Sequence, residues 1–181
     1  KKAIAKKLEG VTITKKEIKY LAKELFKVDF YKRVCSLGGE FFEEFSAELL
    51  ERYLNMTNNK VYSITLTGGC NDGGIDIILK YEDELGFVDT AMVQVKCRQS
   101  NNVIIEKEVR EFYGAMMAKK ASKGMYITSS TFHKDAKKFI DDVDNLVGID
   151  KDVLFDMVDL TMFGIHKNKD GYTFDERVFV K

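Results

Sequence analysis

Apolar residues recur along this chain with two periods, and the switches between them mark out its elements. Ile18, Leu21, Ala22, Leu25 and Phe26 fall at helical spacing. Ahead of them Thr14-x-x-Glu17 has the form of a capping box, with Ile13 and Ile18 placed as a hydrophobic staple. The pattern predicts a helix over about residues 15–34. A second helix, over about 40–55, follows Gly38-Gly39 and presents Phe42, Phe45, Leu49, Leu50 and Tyr53 as its apolar stripe. Beyond it the β-branched and aromatic content of 61–67 reads as a strand. Residues 75–79 and 93–97 read as two more, and the polar, glycine-ended interval 81–86 suits a hairpin between them. A short apolar run at 103–105 leads into a helix over about 106–121, with Val109, Phe112, Ala115 and Met116 inside. Residues 124–130 read as a strand, and Thr131 reads as the cap of a helix bearing Phe132, Ala136, Phe139 and Ile140. A strand at 146–149, a last helix at 153–163 and a small hairpin turning at 169–172 complete the chain. The order helix, three strands, helix, strand, helix, strand is most economically a mixed sheet covered by helices.

Three polar residues interrupt the segments that read as buried strand: Asp76, Gln94 and Lys96. Successive strand residues face opposite ways, so Gln94 and Lys96 share one face while Val93, Val95 and Cys97 take the other. Antiparallel pairing of the two strands brings Asp76 close to that polar pair. A fourth polar residue emerges from the second helix. At about 100° per residue, Glu44, Glu48 and Glu51 fall on its solvated side, whereas Glu43 falls between Leu50 and Leu54 at the edge of the apolar arc. Such a carboxylate is either paired, bound to a metal, or snorkelling at the stripe's edge. The glycine-rich stretch 68–74, with Asn71 and Asp72, allows positive φ and close backbone approach. It is no Walker loop, since no Gly-Lys-Ser/Thr follows, and no dinucleotide fingerprint, since a strand follows; it is a ligand-approach loop or simply a flexible turn.

With 181 residues, 45% of them hydrophobic, the chain is long enough for one well-cored domain. No apolar run approaches the roughly 20 residues of a membrane span, and the lysine-rich start lacks an apolar signal region, so a cytoplasmic protein is expected. Lys1 in place of methionine suggests a processed or truncated chain. Cys35, Cys70 and Cys97 are odd in number and far apart in sequence, which suits reduced thiols rather than a disulfide framework or zinc site. The net charge of zero hides strong segregation: +7 over 1–38, −8 over 39–95, +6 over 96–138 and −5 over 139–181. Two basic blocks flank an acidic one, an arrangement that suits phosphate backbones beside a divalent cation, or simply lysine-rich faces in water.

Glu43, Asp76 and a carbonyl such as that of Gln94 are hard oxygen donors of the kind Mg²⁺ takes, and a bound water is a candidate nucleophile toward phosphorus. Lys96, on the same strand face, is suited to orienting or deprotonating that water and offsetting charge on the phosphoryl oxygens. His133 and His166 have no partner pattern of a histidine-metal nuclease.

Several ordered blocks carry a family resemblance: Phe42-Glu43-Glu44 with Ala47-x-Leu49-Leu50, Asp72-Gly73-Gly74-Ile75-Asp76, Gln94-Val95-Lys96-Cys97, and Val109-Arg110-Glu111-Phe112-Tyr113-Gly114-Ala115. Together with 124–130 and Phe132-x-x-x-Ala136 they resemble the catalytic domain of Mrr-type restriction endonucleases, within the PD-(D/E)XK nuclease superfamily, over about residues 38–163. The resemblance implies an α/β, restriction-endonuclease-like mixed β-sheet flanked by helices with an αβββαβ core. It implies a basic helical extension at 1–38, the nuclease-like domain at 39–163 and a tail or hairpin at 164–181. It also implies metal ligands Asp76, Glu43 and Gln94, with Lys96 completing the catalytic set and Gln94 replacing the superfamily's usual acidic residue. The expected function is a Mg²⁺-dependent endodeoxyribonuclease of type II or IV restriction character, with Mn²⁺ as a substitute. DNA is the partner, with Arg98, Lys107, Arg110, Lys119, Lys120 and Lys123 as candidate phosphate contacts. A homodimer is expected, because a double-strand break needs two active centres, along with a recognition domain or subunit not in this chain. The competing expectations are a non-catalytic DNA-binding module that keeps the fold and a junction-type, structure-specific nuclease.

Overall fold

The structure, a computed structural model, describes residues 14–68, 74–99, 101–169 and 171–180. Ile13 of the predicted staple, and 69–73 of the glycine turn with Cys70, lie outside the described residues. The elements in chain order are α1 (Lys15–Ser36), α2 (Gly39–Met56), β1 (Lys60–Leu66), β2 (Ile77–Glu82), β3 (Val88–Lys96) and α3 (Glu106–Ala118). They continue with β4 (Lys123–Thr128), α4 (Lys134–Asp141), β5 (Leu146–Ile149), α5 (Lys151–Thr161), β6 (Ile165–Asn168) and β7 (Gly171–Phe174). The α/β expectation holds, with a five-stranded sheet in the order β1-β2-β3-β4-β5 and a separate β6-β7 hairpin. The first three strands pair antiparallel and β3-β4-β5 pair parallel, so the sheet is mixed as the element order requires.

Local chemistry accounts for the element ends. Thr14 and Glu17 close the capping box reciprocally, Glu17 N–H on Thr14 Oγ1 at 3.2 Å and Thr14 N–H on Glu17 Oε2 at 2.7 Å. The β2–β3 hairpin turns where the Asp83 carboxylate accepts from the Leu85 and Phe87 amides and Gly86 takes φ +89°. Helix α3 stops three residues earlier than its apolar spacing predicts, because Lys120 enters the left-handed region at φ +57°. The cap of α4 is His133, accepting from the Asp135 amide, rather than Thr131. The helix starts late because Ile104 bridges Phe132, holding 131–133 extended through Ile104 N–H to Thr131 O and His133 N–H to Ile104 O.

The sheet separates two apolar layers. On one face Val93, Val95, Ile77 and Ile127 pack with Phe42, Phe45, Leu49 and Leu50 of α2, Leu154 and Phe155 of α5, and Phe30 and Val34 of α1. On the other, Met92 and Tyr126 pack with Val109, Phe112 and Met116 of α3 and Ala136 and Ile140 of α4. Helix α1 is held by Phe26, Phe30 and Val34; its outward stripe Ile18, Leu21, Leu25 and Val28 is 51–69% exposed. Phe30 contacts the rings of Phe45, Phe155, Phe174 and Phe179, which joins α1, α2, α5 and the C-terminal segment in one aromatic cluster. The boundaries at 38/39 and 163/164 thus fall between elements that share a single core. Among the described residues no helix is long and apolar enough to cross a membrane.

Because Phe30 is fully buried at the centre of that cluster, Phe30→Ala is expected to cost about 3–5 kcal/mol of unfolding free energy. Denaturant titration of both proteins checks this, and an unchanged midpoint would place the cluster's stabilising centre elsewhere.

Candidate active site

The register of one antiparallel pair builds the site. Ile77 pairs with Val93, so Asp76, one residue earlier, falls opposite Gln94. The Asp76 amide donates to Val93 O at 2.9 Å, and its Oδ2 accepts from the Val95 amide at 2.7 Å. The carboxylate is thereby fixed against the edge of β3 rather than left to rotate. A hydrogen bond to a charged acceptor contributes about 1.5–3 kcal/mol. Thr67 N–H donates to Asp76 O at 3.0 Å, holding the same residue from the β1 side.

Gln94 is 6% exposed and projects, by strand alternation, to the α3 face together with Met92. Its carboxamide lies over Gly74, where an added Cβ would come within 2.2 Å of Gln94 Nε2. Gly74 also takes φ +78°, so the position requires glycine twice over, for backbone conformation and for room. Lys96 follows on the same face and is half-buried. Its carbonyl is gripped by Thr128 Oγ1 at 3.0 Å and the Ser129 amide at 3.3 Å, and its ammonium enters no ion pair among the described residues. Glu43 is half-buried on α2, the helix that covers the Val93–Val95 face.

Two features were not legible in the sequence. Tyr126 pairs with Gln94 in the β3–β4 register and is fully buried, yet its hydroxyl is the one buried side-chain polar atom without a partner among the described residues. Burial pushes that hydroxyl's pKa up; the Glu108 carboxylate adds to the shift, Arg98 opposes it, and Asp76 adds again. The strand pattern alone could have placed Tyr126 on Gln94's face, but nothing in it signals an orphaned hydroxyl. The second feature is that Cys35 and Cys97, distant in sequence, meet with their sulfurs 2.8 Å apart.

The donor chemistry fits a hard divalent cation. Asp76 and Gln94 supply a carboxylate and a carboxamide at one strand end, Gly74 makes room for that carboxamide, and an orphaned hydroxyl belongs to the residue registered beside Gln94. Among the described residues no three His, Cys, Asp or Glu side chains gather into a metal cluster.

The candidate phosphate contacts divide by position. Arg98 pairs with Glu108 at 2.7 Å, Arg110 with Glu106 at 2.7 Å while stacking over Phe139, and Lys107 with Glu111 at 3.8 Å. Arg98 follows Lys96 by two residues, and Lys107 and Arg110 lie in the first two turns of α3. Lys123 pairs with Asp89 and registers opposite Ala91, five positions from the Lys96–Thr128 pair. At about 3.3 Å per residue, it and the exposed Lys119 and Lys120 lie roughly 16 Å toward the other end.

Comparison with known proteins follows this geometry. The model of the Mrr catalytic family, described as restriction endonuclease, matches residues 34–158. The type IV methyl-directed restriction enzyme EcoKMrr of Escherichia coli (strain K12) is 36% identical over 83 residues, covering 46% of this chain and 26% of that protein. Two solved structures share the fold. The MspJI restriction endonuclease in complex with a 27-mer oligonucleotide superposes with TM-score 0.56 at 19% identity, over 81% of this chain and 32% of that one. The DNA modification-dependent restriction endonuclease AspBHI superposes with TM-score 0.57 at 16% identity, over 82% of this chain and 38% of that one. The chain therefore spans about a quarter to two-fifths of these relatives' lengths.

Gly74→Ala tests the cradle. The strained φ costs about 1–2 kcal/mol and the Cβ displaces the Gln94 amide. If the displaced Gln94 amide is a cation donor, its loss is expected to weaken divalent-cation binding by the folded variant about tenfold, the equivalent of about 1.4 kcal/mol. Unaltered cation affinity with a native circular dichroism spectrum would remove Gln94 from the ligand set.

Proposed function

The chain belongs to the Mrr-type restriction endonuclease family, and from that membership and the Asp76–Gln94–Lys96 edge we propose that it is a divalent-metal-dependent endonuclease that hydrolyses DNA phosphodiester bonds in cytoplasmic DNA defence. The observation that carries the reading is the Asp76 carboxylate, held by the Val95 amide and registered opposite Gln94, which stands two residues before Lys96 on the same strand face.

In this reading Asp76 and Gln94 would hold Mg²⁺, with Mn²⁺ as a substitute, and Glu43, carried by the helix on the opposite face of β3, would complete the set by reaching past the strand end. The bound cation supplies Lewis-acid polarisation of the phosphate and a more acidic water. Lys96 would position the attacking water, accept its proton or balance the charge that grows on the phosphoryl oxygens. Tyr126, with no protein partner for its hydroxyl among the described residues, is suited to hold a water. Gln94 contributes a neutral oxygen where a third carboxylate would add charge, so cation affinity is lower than a three-carboxylate site would give. Arg98, Lys107 and Arg110 are the phosphate contacts nearest this edge; their carboxylate partners release them as DNA arrives. Lys119, Lys120 and Lys123 serve a longer footprint. The exposed stripe Ile18, Leu21, Leu25 and Val28 on α1 supports a homodimer, which would supply two centres for two strands. Target choice, including any modified base, rests with a recognition module outside this chain.

Supercoiled plasmid with Mg²⁺ or Mn²⁺ tests the reading. The wild type is expected to nick and linearise it, and Asp76→Ala and Lys96→Ala to lose about 100-fold or more of the rate, the scale of removing one transition-state contact. Cleavage unaffected by both substitutions would end the assignment. Metal-independent binding of every DNA with no cleavage would favour a non-catalytic module, and preference for branched DNA a junction-type enzyme. Methylated and unmethylated plasmids run in parallel read the target class.

A further inference from the structure

Cys35 lies in the last turn of α1 and Cys97 directly follows Lys96 at the end of β3. They are 62 residues apart in the chain, yet Cys97 Sγ donates to Cys35 Sγ at 2.8 Å, and both are free thiols. Ser129 Oγ lies 3.4 Å from Cys35 Sγ and 3.8 Å from Cys97 Sγ, and the same hydroxyl takes the Arg98 amide at 2.7 Å. The two sulfurs are thus held together by three converging elements, the end of α1, the end of β3 and the segment after β4. Neither is sealed in the core. Both cysteines are part-exposed, and Cys35 lines a cleft of about 660 Å³ beside Lys32, Arg98 and Lys151. A small oxidant can enter there.

The hydrogen bond makes the two thiols unequal. The Cys97 proton pulls the Cys35 pKa down to about 6 against the effect of burial, and Ser129 lowers it further. Cys97 is pushed up by the same bond, by burial and by the charge it faces on Cys35. The shared proton thus favours the thiolate on Cys35 and the thiol on Cys97. That is the division of labour between an attacking and a resolving thiol.

We propose that Cys35 and Cys97 form a reversible thiol-oxidation site whose closure to a disulfide fastens α1 to β3 beside Lys96. With a peroxide as oxidant, Cys35 sulfur attacks one peroxide oxygen; the S–O bond forms, the O–O bond breaks and hydroxide leaves, becoming water on protonation. Cys97 sulfur then attacks Cys35 sulfur; the S–S bond forms, the S–O bond breaks, and the departing hydroxide takes the Cys97 proton. Two thiols and one peroxide become one disulfide and two waters, and a dithiol reductant reverses the change by exchange. The sulfurs need to approach only from 2.8 Å to the roughly 2.05 Å of a disulfide.

The test treats the full chain with hydrogen peroxide and maps its cysteines by differential alkylation and non-reducing peptide mass spectrometry. The expected product is a Cys35–Cys97 cross-linked peptide lacking two hydrogens, restored to free thiols by dithiothreitol. The closed chain is expected to melt about 9–17 °C higher, as a loop of this length implies. Cys70→Ser should keep both changes, whereas Cys35→Ser and Cys97→Ser should lose them; the wild-type map needs no variant to fold. Cys35 and Cys97 both still open to alkylation after peroxide would overturn the proposal. So would a link to Cys70 or to a second chain, or oxidation of Cys35 beyond sulfenic acid without engaging Cys97. None of these readouts uses DNA cleavage, so the outcome is independent of the nuclease reading.

Discussion

The hydrogen-bonded ladder between β2 and β3 is the constraint on which the rest of the site depends. Its register sets Asp76 opposite Gln94, and the Val95 amide then captures the Asp76 carboxylate. Because side chains alternate, a slip of one residue would turn Gln94 and Lys96 into the layer now filled by Val93 and Val95, burying a cation and losing two core residues together. The apolar face therefore enforces the polar one. Val93 and Val95 pack under α2 and α5, and that packing holds Gln94 and Lys96 on the opposite side. The parallel β3–β4 pairing extends the same logic, bringing Tyr126 beside Gln94 and Thr128 beside Lys96.

Charge is arranged around this edge with a consistent economy. The basic residues of α3 and its approach are matched by Glu106, Glu108 and Glu111, most of them one helical turn away or across a short loop. Such part-exposed pairs add little stability, typically under about 1 kcal/mol each, and so can exchange partners when a polyanion arrives. Lys96 differs in having a carbonyl tied by Thr128 and Ser129 and an ammonium outside any ion pair among the described residues. Its position is fixed by the backbone while its charge stays available.

The order of elements, the mixed sheet and the antiparallel hairpin that carries Asp76 toward Gln94 were legible in the sequence because each follows from a period, 3.6 for the helices and 2 for the strands, or from the glycine-ended interval of the hairpin; the register that sets Asp76 opposite Gln94 was not. Element ends were less so. Lys120 and His133 set theirs through a left-handed residue and a tertiary bridge at Ile104, neither of which has a local sequence signal. The stripe Ile18, Leu21, Ala22, Leu25 and Phe26 foretold helix α1, but not that Phe26, Phe30 and Val34 would hold it while Ile18, Leu21 and Leu25 face outward. Periodicity finds a helix without saying which stripe a distant layer will cover. Tyr126's orphaned hydroxyl and the Cys35–Cys97 contact are likewise tertiary facts, created when β4 and α1 reach the strand that carries Lys96.

The central claim is that the Asp76–Gln94 edge is a cation site. The most direct measurement is Mn²⁺ binding to the full chain by electron paramagnetic resonance, in the absence of DNA, for the wild type and Asp76→Asn. The account predicts saturable binding in the wild type that falls at least about tenfold in the variant, whose neutral amide removes the carboxylate charge from the donor set while keeping its shape. Binding of equal strength in both proteins would contradict it.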